Sequence, residues 1–446
     1  MIDRKRFDRI KDIIFNSSKA NDIQINYFKN TSFLTRLANS YIHQNVHENN
    51  GNIVINVIFG KKTGVASTND LTRKGLIKAL RNAEKIAKLS PEDPDYPGLP
   101  EGIQAEYYKQ FNQTTDKTTP KQRAEMLKEI VKLCSEKNVN ASGFISTKTD
   151  NFGVATTNGA DCFASASSSS LFIITDKGLG TGFAEEIQND FSKINFKKVA
   201  KIAIEKCILS QNSISIDPGE YTVILEEAAV GEMLTYLTYF AFGTKGYHEG
   251  RSPLVGKVGK RVFGKNITIT DNWNHKKASG IPFDSEGVKR SKVSIVKDGI
   301  FKGLVYDNYY SKKFKMKNTG HALPPGMVYG PLPLNIALSK GKTSPEEMIR
   351  TTKKGILITR FHYTNISDPM KTLYTGMTRN GTFLIKNGKI AKSIKNMRFT
   401  QSIIDALNNV TQISNLQVFS GGFMGGGTVV PKLKIKQFNF TGKTDF

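Results

Sequence analysis

The sequence predicts an α+β protein in two domains, residues 1–213 and 214–446. Its 446 residues exceed one ordinary core and fit two domains of about 200 residues each. Helical and strand periodicities alternate through the first half, whereas the second half is richer in strands and turn signals. Between them, Asp217-Pro218-Gly219 follows a helical stretch and reads as the turn that opens a new unit.

In chain order, MIDRKRFDRIKDIIF alternates charge too quickly for a secretory signal. It reads as an amphipathic helix with Phe7, Ile10, Ile13 and Ile14 on one face. Ile23, Ile25 and Tyr27 alternate as a strand, and Asn49–Asn52 predicts a turn before the apolar run IVINVIF. From about Asp70, Leu76, Leu80, Ala83 and Ala87 recur at helical spacing. The prolines of Ser90–Pro100 fix φ and remove donors, so this segment is an extended connection. Thr119 and Pro120 supply an N-cap and first-turn proline for a helix that buries Ala124, Leu127 and Val131. FISTKTDNFGVATTNG suggests a hairpin around Asp150-Asn151, and ASASSSS before LFIIT a strand edge. A helix over about Phe196–Ser210 ends the first domain.

In the second domain, a helix from about Glu227 turns Ala229, Met233, Leu237 and Phe240 inward. Lys297–Gly299 (KDG) and Lys386–Gly388 (KNG) are hairpin turns that favour positive φ. No period of about 20–50 residues repeats.

Composition excludes several classes. A hydrophobic content of 38% with 27 Phe and 15 Tyr fills two cores, and no apolar run of about 18 residues could span a bilayer, so no membrane partner is expected. Cys134, Cys162 and Cys207 are odd in number and far apart, which argues against a disulfide framework or a CxxC metal site and for a cytoplasmic protein. The net charge of +25 raises nucleic acid as a partner, since clustered cations release counterions from phosphates. Here the cations come singly or in pairs such as Lys61-Lys62 and Lys353-Lys354, which argues for a solvated surface instead. Acidic peptides or an acidic partner would still be attracted at long range.

Ile224–Leu237, ILEEAAVGEMLTYL, reads like the metal-binding helix of a zinc peptidase without its catalytic residues. Such a helix presents two imidazoles to one metal, with a glutamate between them that takes a proton from metal-bound water. Three further blocks are distinctive: GILITRFHYTNISDPMKTLYTGMTRNGTFLIKNGKI from Gly355, YHEGRSPLVGKVGKRVF from Tyr247 and LANSYIHQNVHENN from Leu37. Together these segments span the chain almost end to end, and in them it resembles the TldD/PmbA family, the modulator of DNA gyrase family related to zinc metallopeptidases. It is similar to the zinc-lacking, TldE/PmbA-type branch.

The resemblance implies a mixed α/β N-terminal domain and a mainly antiparallel-sheet C-terminal domain that together form a peptide groove. In the family's HExxxH motif, Glu227 stands where the first histidine would be, Ala228 where the catalytic glutamate would be, and Glu232 where the second histidine would be. A slip of one residue would bring Glu226 into play, and no slip supplies a histidine. The third zinc ligand of catalytic members is a cysteine in a Gly-rich turn, and the corresponding Ser420–Val429, SGGFMGGGTV, has none. The expectation is therefore no catalytic residue, no metal and no cofactor in this chain, with zinc held by a catalytic partner.

Other candidates have plain alternatives. His43 and His47 have metal-pair spacing on a helix but lie in a predicted strand. Glu227 and Glu232 are about 140° apart around an ideal helix, open to a hard cation or to solvent and partner. His248 and Glu249 are an acid/base pair or part of a hydrogen-bonded loop. His362 lines a peptide groove or fills a strand face. Arg251, Arg360 and Arg379 are candidates to hold carboxylates of substrate or partner. The walls of the groove are assigned to Tyr247–Ser252 and Phe361–Arg379.

The role implied is the non-catalytic subunit of a heteromeric zinc metalloprotease that processes small unfolded peptides. Its partner would be a TldD-like zinc-bearing subunit in a heterodimer, with a homodimer as the other arrangement. The competing readings are a self-sufficient peptidase with a different metal site, and a nucleic-acid or gyrase-associated binding protein.

Overall fold

A computed structural model of the chain describes residues 3–278, 280–421 and 427–444. The first half contains α1 (Arg4–Ser17), β1 (Asp22–Ala38), β2 (Tyr41–Phe59), β3 (Lys62–Thr68), α2 (Arg73–Leu89), β4 (Gln104–Gln110), α3 (Gln113–Asp116), α4 (Pro120–Ser135), β5 (Asn140–Thr156), β6 (Asp161–Lys177), β7 (Gly180–Gln188) and α5 (Phe196–Leu209). The second half contains β8 (Gly219–Leu225), α6 (Glu227–Phe240), α7 (Thr244–His248), β9 (Ile269–Asp271), β10 (Val293–Lys297), β11 (Ile300–Phe301), α8 (Asn308–Lys313), β12 (Asn335–Leu338), α9 (Pro345–Arg350) and β13 (Lys354–Asp368). It continues with β14 (Leu373–Lys386), β15 (Lys389–Ser393), β16 (Met397–Ser402), α10 (Ile403–Asn408), β17 (Val410–Ile413), β18 (Val418–Gly421), β19 (Gly427–Val430) and β20 (Leu433–Lys443). The fold is α+β, as expected, and no helix among the described residues is long and apolar enough to cross a membrane.

The first sheet has the order β3-β2-β1-β5-β6-β4, with β7 also paired to β6. Its long strands carry two cores. One lies under α1 and α2, where Phe7, Ile10 and Ile14 meet Ile25, Ile55 and Leu80. The other lies under α4 and α5, where Leu127 and Ile130 meet Ile145, Ile173 and Ala203. Thr119 caps α4 in a reciprocal capping box with Gln122. The buried face of α4 is turned from the expected one: it centres on Leu127, Ile130 and Cys134 and takes in Arg123, whose guanidinium donates to Thr35 Oγ1 and the Thr118 carbonyl. Ala124 and Val131 flank that face half-buried.

Three local expectations are corrected. Asn49–Asn52 is not a turn, because β2 runs through it, paired with Lys29, Asn30, Thr31 and Phe28 of β1. The chain reverses at Asn39-Ser40, both at positive φ, 48° and 64°. Asp150-Asn151 likewise lies inside β5, whose ladders with β1 and β6 run unbroken past it. The serine run is an interior strand, since β6 pairs with β5, β4 and β7. Ser165, Ser167 and Ser169 are buried because their hydroxyls reach Asn151 Oδ1, the Asn189 carbonyl and Thr115 Oγ1.

In the second half, β13, β8, β20, β16 and β14 form a closed circuit of pairings, because β14 also pairs β13. A second sheet has the order β11-β10-β9-β12-β19-β18. All but the β13–β8 and β12–β19 pairings in these two sheets are antiparallel. The turns at Asp298-Gly299 and Asn387-Gly388 have positive φ at both residues, as hairpins of this type require. Helix α6 is enclosed between the sheets, with Ala229, Val230, Met233, Leu234 and Leu237 all buried. Phe240 is half-buried, not inward, and stacks on Tyr236. Gly231 lets the helix approach β18 and β19: a Cβ there would lie 2.7 Å from Ser420 Oγ and 3.0 Å from Thr428 Oγ1.

Candidate functional site

A pocket of about 270 Å³ opens where the first sheet meets α6. Phe172 of β6 and Phe183 and Glu185 of β7 form one wall. Ala228 and Glu232 of α6 form the second, and Arg360 in the middle of β13 the third. Ser420 and Gly421 of β18 close the rim. The strands β7 and β18 are each paired to a single neighbour, so two edge strands border the pocket.

Arg360 is held firmly. Its Nε and Nη2 both donate to Asn380 Oδ1, at 2.9 and 2.6 Å. Its guanidinium lies 4.6 Å from the Phe183 ring centroid and 5.4 Å from that of Phe172, a cation–π arrangement. Burial and the neighbouring Arg379 lower its proton affinity, and Glu185 and Glu232 oppose that. Burial raises the pKa of both glutamates, with Arg360 opposing it in each. Glu232 also accepts from Thr364 Oγ1.

The strand β13 is irregular here. Its register with β14 shifts between His362 and Asn365, and Tyr363 sits at φ 50°, 79% exposed. That backbone region costs a non-glycine residue on the order of 1–3 kcal/mol, so something must hold it. Two α6 side chains do: Tyr236 OH donates to the Thr364 carbonyl at 2.7 Å, and Glu232 binds the Thr364 hydroxyl. His362 packs on the Tyr363 ring, and burial, then Arg379 and Arg360, lower its pKa. Arg379 lies opposite Arg360 in the β13–β14 ladder.

The foot of α6 is a charged cluster of different purpose. Glu226 is paired with Lys206 of α5 and with Lys432, whose Nζ is 2.5 Å from Oε1. Burial alone would raise the Glu226 pKa, but the two ammonium groups outweigh it and hold the carboxyl at about 2. Lys432 also reaches Glu227 at 3.5 Å. The cluster therefore ties the first half of the chain to the start of α6.

The remaining sequence candidates lie elsewhere. His248, Glu249 and Arg251 do not line the pocket. His248 stacks on Phe314 at 3.5 Å, 3.4 Å from Tyr306 OH, and burial lowers its pKa. Glu249 and Arg251 pair with each other on the surface. His43 is exposed on β2, and His47 stacks on Phe33 at 4.4 Å. Of the Gly-rich segment, Gly422–Gly426 lie outside the described residues. Sequence reasoning missed Glu185, Phe172, Phe183, Lys206 and Lys432. No local pattern marks them, since each matters only through residues distant in the chain.

Residues 218–442 match the family description PmbA/TldA metallopeptidase C-terminal domain, and residues 25–87 match PmbA/TldA metallopeptidase domain 1. The chain belongs to the PmbA/TldD metallopeptidase family. Among its PmbA/TldD relatives, the metalloprotease PmbA homolog of Haemophilus influenzae is 24% identical over 87% of this chain and 86% of its own length. The metalloprotease TldD homolog of Buchnera aphidicola is 22% identical, over 85% and 82%. The crystal structure of TldE from Thermococcus kodakarensis superposes with a TM-score of 0.87, covering 98% of this chain and 100% of that one at 22% identity. That likeness establishes the shared PmbA/TldD fold.

A metallopeptidase family implies zinc, and the donors on α6 do not fit it. Zinc sites of peptidases are built from imidazole, thiolate and carboxylate groups converging with one position open. Here the carboxylates of Glu226 and Glu227 are engaged by lysine ammonium groups, and Glu232 by Thr364. Ala228 carries no base. Among the described residues no group of three His, Cys, Asp or Glu side chains is arranged to hold a metal ion.

Proposed function

We propose that this chain is the non-catalytic, peptide-holding subunit of a cytoplasmic PmbA/TldD-type zinc protease, paired with a zinc-bearing relative. The observation that carries the reading is the fate of the α6 carboxylates. Residues at the metal-ligand positions are committed to lysine pairs and to bracing a strand, while the neighbouring pocket stays open and bordered by two edge strands. An extended peptide binds such edges through main-chain hydrogen bonds that need no particular sequence. Presenting it in one register to a second subunit contributes to catalysis by orientation alone.

The test is zinc content and peptidase activity of the purified chain, alone and mixed with a zinc-bearing family member from the same cell. The expected result is substoichiometric zinc and no cleavage alone, with chelator-sensitive cleavage in the mixture. Stoichiometric zinc together with chelator-sensitive activity in the single chain would overturn the proposal.

A further inference from the structure

We infer that the pocket beside α6 holds a primary ammonium group, supplied by a peptide N-terminus or a lysine side chain, between Glu185 and Glu232. The inference rests on the peptide-binding reading above and adds to it the chemistry of the group recognised.

The charge balance of the pocket comes first. Its wall carries two carboxylates, Glu185 and Glu232, and one guanidinium, Arg360. The other lining side chains, among them Phe172, Phe183, Tyr236 and Phe361, are neutral. With both carboxylates ionised, one negative charge remains uncompensated in a half-buried, aromatic-walled space, where desolvation makes it costly. Glu227, the next carboxylate along α6, already has Lys432.

Hydrogen-bonding capacity points the same way. Arg360 is fixed by Asn380 and by two aromatic faces, so it cannot swing to satisfy both acids. Glu185 accepts no hydrogen bond among the described residues, and its neighbour Glu186, on the opposite face of β7, takes Gln188 and the Asn195 amide. Glu232 accepts through Oε1 only, from Thr364. Three of the four carboxylate oxygens on the pocket wall therefore accept no hydrogen bond among the described residues. An ammonium brings three rotatable N–H donors on a compact centre, one for each of these oxygens. A bare divalent ion is disfavoured by Arg360 in the same wall.

The experiment uses the full chain and three short fluorescent peptides: one lysine-free with a free N-terminus, its N-acetyl twin, and an N-acetyl twin with one lysine. Fluorescence anisotropy gives the three Kd values. Loss of a charge-assisted pair predicts that the lysine-free acetyl peptide binds about tenfold or more weakly than whichever peptide supplies the ammonium. A tight free-amine peptide identifies the N-terminus as the source, and a tight acetyl-lysine peptide the side chain. Glu185→Gln should bring all three to the level of the weakest, with Glu232→Gln as a second variant, both checked for folding by circular dichroism. The wild-type comparison decides without either variant. Equal binding of all three peptides would overturn the ammonium inference while leaving peptide binding intact. If none bound, the peptide-holding reading itself would fall.

Discussion

Replacing Glu226 by Gln isolates the charge cluster at the foot of α6, because the substitution keeps the shape and removes only the charge. The two lysines hold the Glu226 carboxyl at about 2 against an ordinary 4.5, and its side chain is only 13% exposed, so solvent screening is small. Each tenfold change in proton affinity is worth about 1.4 kcal/mol, which makes the charged form worth about 3 kcal/mol at pH 7. The sign follows from the depressed pKa. The stabilisation is complete above the unfolded value of 4.5 and is lost as pH falls toward about 2. The Glu226→Gln chain should therefore melt roughly 10 °C lower than the wild type at pH 7, for a cooperative unit of about 200 residues. At pH 3, where the wild-type carboxylate retains only about 1.4 kcal/mol of its advantage, the gap should shrink to roughly 4 °C. Differential scanning calorimetry at the two pH values measures both. An unchanged midpoint at pH 7, or a loss as large at pH 3 as at pH 7, would refute the reasoning.

The three cysteines are buried, and burial pushes the Cys134 and Cys162 thiols up to about 12 and raises Cys207 as well. Ellman's reagent should find no fast-reacting thiol in the native chain and all three after denaturation; a native thiol reacting at the free-cysteine rate would contradict this. Gly182→Ala would place a Cβ 2.0 Å from the Ala203 carbonyl oxygen and 2.6 Å from the Cys207 amide nitrogen, forcing α5 off β7. It should cost about 2–3 kcal/mol, read from the urea midpoint, and a neutral result would show that α5 shifts freely. Phe399 is fully buried among Phe361, Tyr374 and Phe438, at centroid distances of 4.4, 5.1 and 5.3 Å. Phe399→Ala should cost about 3–5 kcal/mol by the same assay, and a loss under about 1 kcal/mol would mean the closed strand circuit collapses around the gap.

The α6 carboxylates have structural tasks of their own. Glu226 anchors the helix to α5 and to Lys432, and Glu232 braces the irregular stretch of β13 at Thr364. Both tasks need carboxylates at positions that face other elements.

The sequence by itself determined whatever depends on neighbours within a few residues. The helices α1, α2, α4 and α5 were legible because apolar spacing and caps act over one or two turns, as Thr119 and Gln122 do. The KDG and KNG hairpins were legible because positive φ selects Asn, Asp and Gly locally. Tertiary structure alone decided the rest. Asp150-Asn151 has turn chemistry, yet ladders to β1 on one side and β6 on the other supply more hydrogen bonds than a turn would, so the strand runs on. The pocket joins Glu185, Glu232 and Arg360, and the cluster below it joins Lys206, Glu226 and Lys432, across separations of up to 206 residues. Electrostatic pairing depends on distance in space and on burial, and neither is encoded in the spacing of residues along the chain.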